Sequence, residues 1–278
     1  IDVVVAPEFL RQYSLAGDPA DSSKYVIGVL EEKEGRGGSA LMHRIFHEGR
    51  RVFISKPINH FPLHEEAKKT LLFGGGIGVT PMIAMAHRLH ALGKPFELHY
   101  CFRHRHKAGF IEEIQDAPSS EKAFIHCSSE GTHADLNSIL ADYEEGYHVY
   151  TCGPDVFMDG VVDAAAAHGW AEESLHKEYF SVPDQGDYVN KSFFVKLAST
   201  GERIEIPEDK SAADVLNEKG ISVPTKCSDG ICGVCIAKYQ GADVEHRDFV
   251  LSGKEKEDTL VLCCSRAKDE GAELMLEL

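Results

Sequence analysis

The sequence predicts a multidomain protein of α/β and β class. The reading is a partial antiparallel β-barrel over residues 1–66, a doubly wound parallel α/β domain over 67–183 and a β-grasp domain over 192–278. Three observations carry it. Apolar strand-like runs alternate with amphipathic helix-length stretches between residues 68 and 180. Ahead of them, short strand signals are punctuated by Gly and Pro. Behind them, the polar, turn-rich stretch 181–191 reads as a linker, followed by a hairpin signal and a cysteine-rich loop.

In the first segment the chain opens inside a strand, Ile1-Asp-Val-Val-Val5, without a methionine, so further residues are expected upstream. Lys24–Leu30 and Arg51–Ser55 read as further strands. Arg11-Gln-Tyr-Ser-Leu15 sets a guanidinium, an aromatic ring and a hydroxyl close together. Arg11 suits a phosphate, Tyr13 a planar ring, and Ser14 a hydrogen bond to a ring nitrogen. Gly35–His43 is a glycine turn leading into a short helix, which again suits a phosphate. A plain hairpin turn is the simpler alternative.

In the second segment, strands are expected at Lys69–Phe73, Phe96–Cys101, Ala123–Cys127 and His148–Cys152. Helices are expected at Thr80–Ala91, Lys107–Ile114, Ala134–Leu140 and Asp155–Ala167. Phe73-Gly-Gly-Gly-Ile-Gly-Val-Thr-Pro81 joins the first strand to the first helix. Gly74, Gly75 and Gly76 let the backbone approach a pyrophosphate at the helix N-terminus, and Pro81 suits the first turn. This is not the G-x-G-x-x-G fingerprint of the usual dinucleotide fold. Tyr150-Thr-Cys-Gly-Pro-Asp155 ends the fourth strand, where Cys152 faces the same crevice as the glycine turn. Cys152 can equally be a small buried residue without a role.

In the third segment, Phe193–Leu197 and Glu202–Ile206 form a hairpin, and Ser211–Leu216 starts a helix. Cys227, Cys232, Cys235 and Cys263 then follow the C-x4-C-x2-C…C spacing of plant-type ferredoxins, in which thiolates hold a [2Fe-2S] cluster. Gly230 and Gly233 supply permissive backbone near the sulfides. A structural zinc site is the rival, but it usually comes as two short C-x2-C units, and only one is present. Cys263 and Cys264 are adjacent, and neighbours in a strand point to opposite faces. Only one of them can be the fourth ligand.

A net charge of −16 excludes nucleic acid as a partner and suits a basic patch on a protein. The longest apolar run is too short and too glycine-rich to span a membrane, and no signal peptide is visible. The eight cysteines do not form an even disulfide framework, which fits a reducing cytoplasmic setting.

Taken together, these motifs resemble the phthalate dioxygenase reductase family of iron–sulfur flavoproteins. The match runs through Arg11–Leu15, Gly35–Ser39, Pro57–Leu63, Gly74–Pro81, Cys152–Pro154 and His176–Phe180. It continues through the cysteine loop, His246-Arg-Asp248 and Glu273–Leu278. The resemblance implies an FMN barrel, a pyridine-nucleotide domain and a C-terminal ferredoxin, with the first two strands or so of the barrel lying upstream. Carried over, it assigns Arg11, Gly37, Gly38 and Ser39 to the FMN phosphate, with Arg36 and His43 as lesser candidates. Tyr13 and Ser14 line the isoalloxazine. Gly75, Gly76, Thr80, Cys152 and Gly153 lie beside the nucleotide, and Glu178 and Phe180 near the flavin face. Cys263 becomes the fourth iron ligand, with Cys264 packed as a small apolar residue. The implied path runs from NADH or NADPH through FMN and the cluster to a terminal oxygenase or another electron acceptor, separate or fused. Arg103, Arg105 and Lys107 suit a 2′-phosphate, and Ser128 stands where a carboxylate would favour NADH, so the choice of nucleotide stays open. Two other classes remain: an electron carrier with a vestigial flavin part, and a flavin-dependent disulfide or quinone reductase with a structural cluster.

Overall fold

The computed structural model describes all residues except Glu8, Lys33, Glu34, Arg36 and 183–187. Arg36 and much of the expected linker therefore lie outside the described residues. The chain divides into two units, Ile1–Glu178 and Tyr179–Leu278.

The first unit starts with β1 (Asp2–Ala6) and β2 (Phe9–Gln12), then α1 (Gly38–Ile45) and β3 (Phe53–Ile54). The strands form an antiparallel sheet in the order β2-β1-β3. Alternation sends Val3 and Val5 inward against Met42, while Val4 between them is 40% exposed. The strand expected at Lys24–Leu30 is reduced to one bridge, Ile27 to Leu15. Gly28 explains why. A Cβ there would lie 2.8 Å from the side chains of Ile77, Thr80 and Phe110, so this segment packs onto the neighbouring α/β layer instead of pairing.

That layer comprises β4 (Lys69–Gly75), α2 (Val79–Ala91), β5 (Phe96–Phe102), α3 (Ile111–Asp116) and β6 (Ala123–Cys127). It continues with α4 (Leu136–Leu140), β7 (Tyr147–Cys152), α5 (Asp155–Ala167) and β8 (Leu175–Glu178). All five strands are parallel, in the order β6-β5-β4-β7-β8. Leu72, Leu98 and Tyr150 face Val79, Met82 and Leu89 on one side. Leu71, Phe73 and Val149 face Leu140, Val161 and Trp170 on the other. Both faces are covered, which accounts for the nearly continuous apolar strands. The chain reverses its direction of growth between β4 and β7, so the ends of those strands form the crevice where ligands bind in such sheets. The helix expected at Lys107–Ile114 begins later. Gly109 and Phe110 interrupt it, Phe110 taking φ 65° at the N-cap of α3. The strand β8 went unread, being only four residues with no alternation.

The second unit contains β9 (Phe193–Leu197), β10 (Arg203–Ile206), α6 (Ala212–Glu218), β11 (Ile236–Gly241) and β12 (Val244–Glu245). After them come β13 (Thr259–Val261), β14 (Arg266–Ala267) and β15 (Glu273–Glu277). Its main sheet runs β10-β9-β15-β11-β13, with β15 parallel to β9 and the other pairs antiparallel. Val195, Ile204, Leu216, Leu260 and Leu274 form its buried core. Ser211 caps α6, its Oγ accepting from Asp214 N–H at 3.1 Å. Among the described residues no helix is long and apolar enough to cross a membrane.

Candidate functional site

The N-terminus of α1 is an anion cradle. Gly37 takes φ 81° at the N-cap, and no described side chain caps the helix, so its first N–H groups keep their bonding capacity. The Arg11 guanidinium lies against Gly38, with Nε 2.4 Å from where a Cβ would be. Any residue but glycine would displace it. Arg11 also donates to the Leu10 carbonyl at 2.9 Å and sits over the Phe9 ring, leaving part of its fork for an anion. Ser39 Oγ accepts from Glu32 N–H at 3.1 Å, and His43 Nε2 sits 2.9 Å from the Val29 carbonyl. The fork, the open helix end and the Ser39 hydroxyl fit the phosphate of a flavin mononucleotide. Tyr13, two residues beyond Arg11, is half-buried, and burial raises its phenol above the ordinary range.

The crevice at the ends of β4, β7 and β8 is shaped by glycine. A Cβ on Gly78 would fall 2.2 Å from the Cys152 carbonyl oxygen, and one on Gly74 2.6 Å from Val79 Cα. Gly153 takes φ 153°, and its Cβ would meet the Gly75 backbone at 2.8 Å. The β4–α2 turn therefore lies directly on the end of β7, and Gly76 completes the turn at φ 56°. Such a bare backbone lets a pyrophosphate approach. Thr80 is buried and donates to the Ile77 carbonyl at 3.1 Å. Cys152 pairs in register with Gly74 on one side and Glu178 on the other. Its thiol is fully buried, and burial raises it well above the usual range, helped by the Glu178 charge. Glu178 Oε2 accepts from Ser14 Oγ at 3.0 Å, and burial lifts this carboxyl to about 6. Ser14, Cys152 and Glu178 are thus one cluster. Phe180 belongs to the second unit and is exposed there.

Arg103 and Ser128 immediately follow β5 and β6, whose last residues, Phe102 and Cys127, are register partners. Both are exposed. Arg105 is not free beside them, because its fork holds Glu130 in two bonds of 2.9 Å. This pair neutralises the Glu130 carboxylate.

In the second unit the segment 227–235 wraps the thiols. Cys232 and Cys235 are buried, while Cys227 and Cys263 reach partly to the surface. Cys227 has the thiols of Cys232 and Cys263 as neighbours, and Cys235 that of Cys263. Cys263 therefore turns into the group. The Cys264 sulfur lies against Gly230, 2.7 Å from where a Cβ would sit. Gly230 at φ 75°, Gly233 at φ 67° and Ser228 at φ 61° bend the loop through left-handed backbone. For Ser228 that conformation costs about 1–2 kcal/mol. The loop directs N–H groups at sulfur: Asp229 to Cys227 at 3.3 Å, Ile231 to Cys227, and Val234 to Cys232. Four gathered thiols on the C-x4-C-x2-C…C spacing fit a two-iron cluster.

Two residues that shape these sites escaped sequence reasoning. Gly28 breaks an apolar run, Val-Ile-Gly-Val-Leu, and a lone glycine there signals close approach of a neighbour. Gly78 sat inside a recognised motif, yet only the contact with Cys152 separates its role from that of the other glycines.

Residues 52–175 match the family model of the dimethylamine monooxygenase subunit DmmA-like N-terminal domain, and 195–268 that of the 2Fe-2S iron–sulfur cluster binding domain. A vanillate O-demethylase oxidoreductase of a Pseudomonas species is 42% identical over 282 residues, covering 100% of this chain and 88% of that one. The solved phthalate dioxygenase reductase superposes with a TM-score of 0.67 at 35% identity, over 100% of this chain and 86% of that one. An intact type IV self-sufficient cytochrome P450 monooxygenase matches all of this chain with 36% of its own, at a TM-score of 0.85 and 35% identity.

Proposed function

The chain belongs to the phthalate dioxygenase reductase family. From that premise we propose that it takes electrons from NADH or NADPH and delivers them, through FMN and a [2Fe-2S] cluster, to a terminal oxygenase or another electron-accepting enzyme. The observation that carries this is one chain holding both four gathered thiols on two-iron spacing and a bare-glycine crevice with an anion cradle.

Bound flavin supplies a centre that accepts two electrons and releases them singly, and the cluster a one-electron carrier. The residues hold, orient and shield these groups. We assign residues 1–66 to FMN, 67–183 to the nucleotide and 192–278 to the cluster. Arg11, Gly37, Gly38 and Ser39 hold the FMN phosphate, and Tyr13 and Ser14 border its ring. Gly75, Gly76, Thr80, Cys152 and Gly153 position the nicotinamide half of the nucleotide, and Arg103 and Ser128 its ribose end. Glu178 holds Ser14 in place at the hydride face. Cys227, Cys232, Cys235 and Cys263 ligate the irons, and the loop N–H groups stabilise the added negative charge of the reduced cluster. The remaining four, Cys101, Cys127, Cys152 and Cys264, form no disulfide, which supports a cytoplasmic location.

The test is an optical spectrum of anaerobically purified protein, with extracted-flavin and metal analysis, followed by NAD(P)H-driven reduction of a one-electron dye. FMN, two irons and two sulfides per chain, and dye reduction are expected. Zinc without iron or sulfide would overturn the proposal. Cluster without flavin or nucleotide-driven reduction would reduce the chain to an electron carrier.

A further inference from the structure

Away from both sites, His64, His148 and His176 each offer one ring nitrogen, and these three atoms lie within 4.8 Å of one another. We propose that they form a binding site for one divalent first-row transition-metal ion, typified by Zn²⁺, which clamps the segment around His64 onto strands β7 and β8.

The backbone prepares this group. Tyr150 and His176 are register partners across β7 and β8, and His148, two residues before Tyr150, shares its face of the sheet. The Tyr150 ring stacks on His176 at 4.3 Å and meets Phe61 edge-on at 5.3 Å. Its hydroxyl accepts from His64 N–H at 2.9 Å and donates to the Pro62 carbonyl at 3.2 Å. One buried tyrosine thus orients His176 and anchors the backbone of His64. The three imidazoles stack on one another with centroids 4.6, 5.0 and 5.2 Å apart.

The donor set is right for the ion. Three imidazoles suit zinc, copper or nickel and are a poor match for calcium or magnesium. A tetrahedral zinc with nitrogens about 2.0–2.1 Å away spaces them roughly 3.3 Å apart. His148 Nδ1 and His176 Nε2 already stand 2.9 Å apart. The proton in that bond can move to the outer nitrogen of its own ring, so both inner nitrogens become donors without net proton release. The third nitrogen is on His64, an exposed side chain free to swing inward. Three protein ligands leave a fourth position for water on the solvent side.

The experiment is calorimetric titration of Zn²⁺ into the full, iron-loaded chain after chelator treatment, in parallel with His64→Ala. Because His64 is exposed, this change spares the packed pair beneath it. One equivalent is expected to bind the parent chain, with affinity falling at least about tenfold in His64→Ala. Absence of a saturable one-equivalent site, or equal affinity in the two proteins, overturns the proposal and leaves the rings as packing alone. Co²⁺ supplies the second readout. A d–d spectrum without sulfur-to-metal charge transfer supports the histidine site, whereas charge-transfer bands place the ion on cysteine and reject it.

Discussion

Ser14 Oγ donates a 3.0 Å hydrogen bond to Glu178 Oε2, tying the segment after β2 to the last strand of the parallel sheet across 164 residues of sequence. Burial lifts the Glu178 carboxyl to about 6, and the Ser14 bond opposes the rise. The group is therefore ionised above about pH 6 and neutral below it. If Glu178 stands at the hydride face, the rate of flavin reduction by NAD(P)H has an inflection near pH 6. Ser14→Ala removes the opposing bond and moves the inflection upward, and Glu178→Gln abolishes it. Superimposable stopped-flow pH profiles for the three proteins would remove Glu178 from the site.

Cys152 is buried between Gly74 and Glu178, and its carbonyl blocks any side chain at position 78. Its proposed work is positioning, and a small misplacement of reacting atoms is expensive in rate. Cys152→Ala is expected to slow flavin reduction by at least about tenfold while changing nucleotide affinity by less than about threefold. Equal reduction rates in stopped-flow absorbance would leave Cys152 as a packing residue.

The neighbouring cysteines at the end of β13 separate cleanly. Cys263 has the thiols of Cys227 and Cys235 beside it, whereas Cys264 lies against Gly230. Cys263→Ser is expected to cost most of the iron and sulfide, and Cys264→Ser to keep both. Gly230→Ala should also lose iron, because its Cβ would meet the Cys264 sulfur at 2.7 Å in a left-handed backbone. Iron and sulfide assays on the three proteins check this; cluster loss only in Cys264→Ser would exchange the two roles.

How much of this was legible beforehand follows from range. The helix Asp155–Ala167 and strand Ala123–Cys127 appear with the predicted bounds because periodicity is a local signal. The cysteine spacing was legible for the same reason, since the chemistry dictates a short loop. The bond from Ser14 to Glu178, the fit of Gly78 under Cys152 and the stacking of His64 over His148 join residues far apart in sequence, which no window can see. The failed strand at Lys24–Leu30 has that origin too. Its residues have strand character, but Gly28 is committed to contacts with Ile77 and Phe110.

His99 is 3% exposed between the rings of Phe73 and Phe124, with Nε2 3.2 Å from Glu97 and Nδ1 3.2 Å from His126. Burial holds the imidazole down to about 4, against 6.5 for the free group. The folded chain thus binds this proton less readily than the unfolded one. The resulting stability is fully present above about pH 6.5 and is lost as pH falls toward 4. His99→Gln, which cannot titrate, is expected to flatten the slope between these limits by up to about 1.4 kcal/mol per pH unit. Trp170, the single tryptophan, lies in the first unit and reports its unfolding in urea. An unchanged slope would assign the acid sensitivity to other groups.

The edge that follows β5 and β6 sets nucleotide preference by charge. Glu130 is neutralised by both arms of Arg105, leaving Arg103 and Ser128 exposed beside it. A carboxylate released there would accept from a ribose 2′-hydroxyl and repel a 2′-phosphate. Arg105→Ala frees Glu130 and removes a cation at once, and both effects act in the same direction. The ratio of kcat/KM for NADH over NADPH should therefore rise by about tenfold, equivalent to about 1.4 kcal/mol. Arg105→Ala with Glu130→Gln should return part of that rise, since the carboxylate is gone although the cation is still missing. A ratio unmoved by either change would show that the ribose binds away from this edge, and Arg103 and Ser128 would lose their assignment with it.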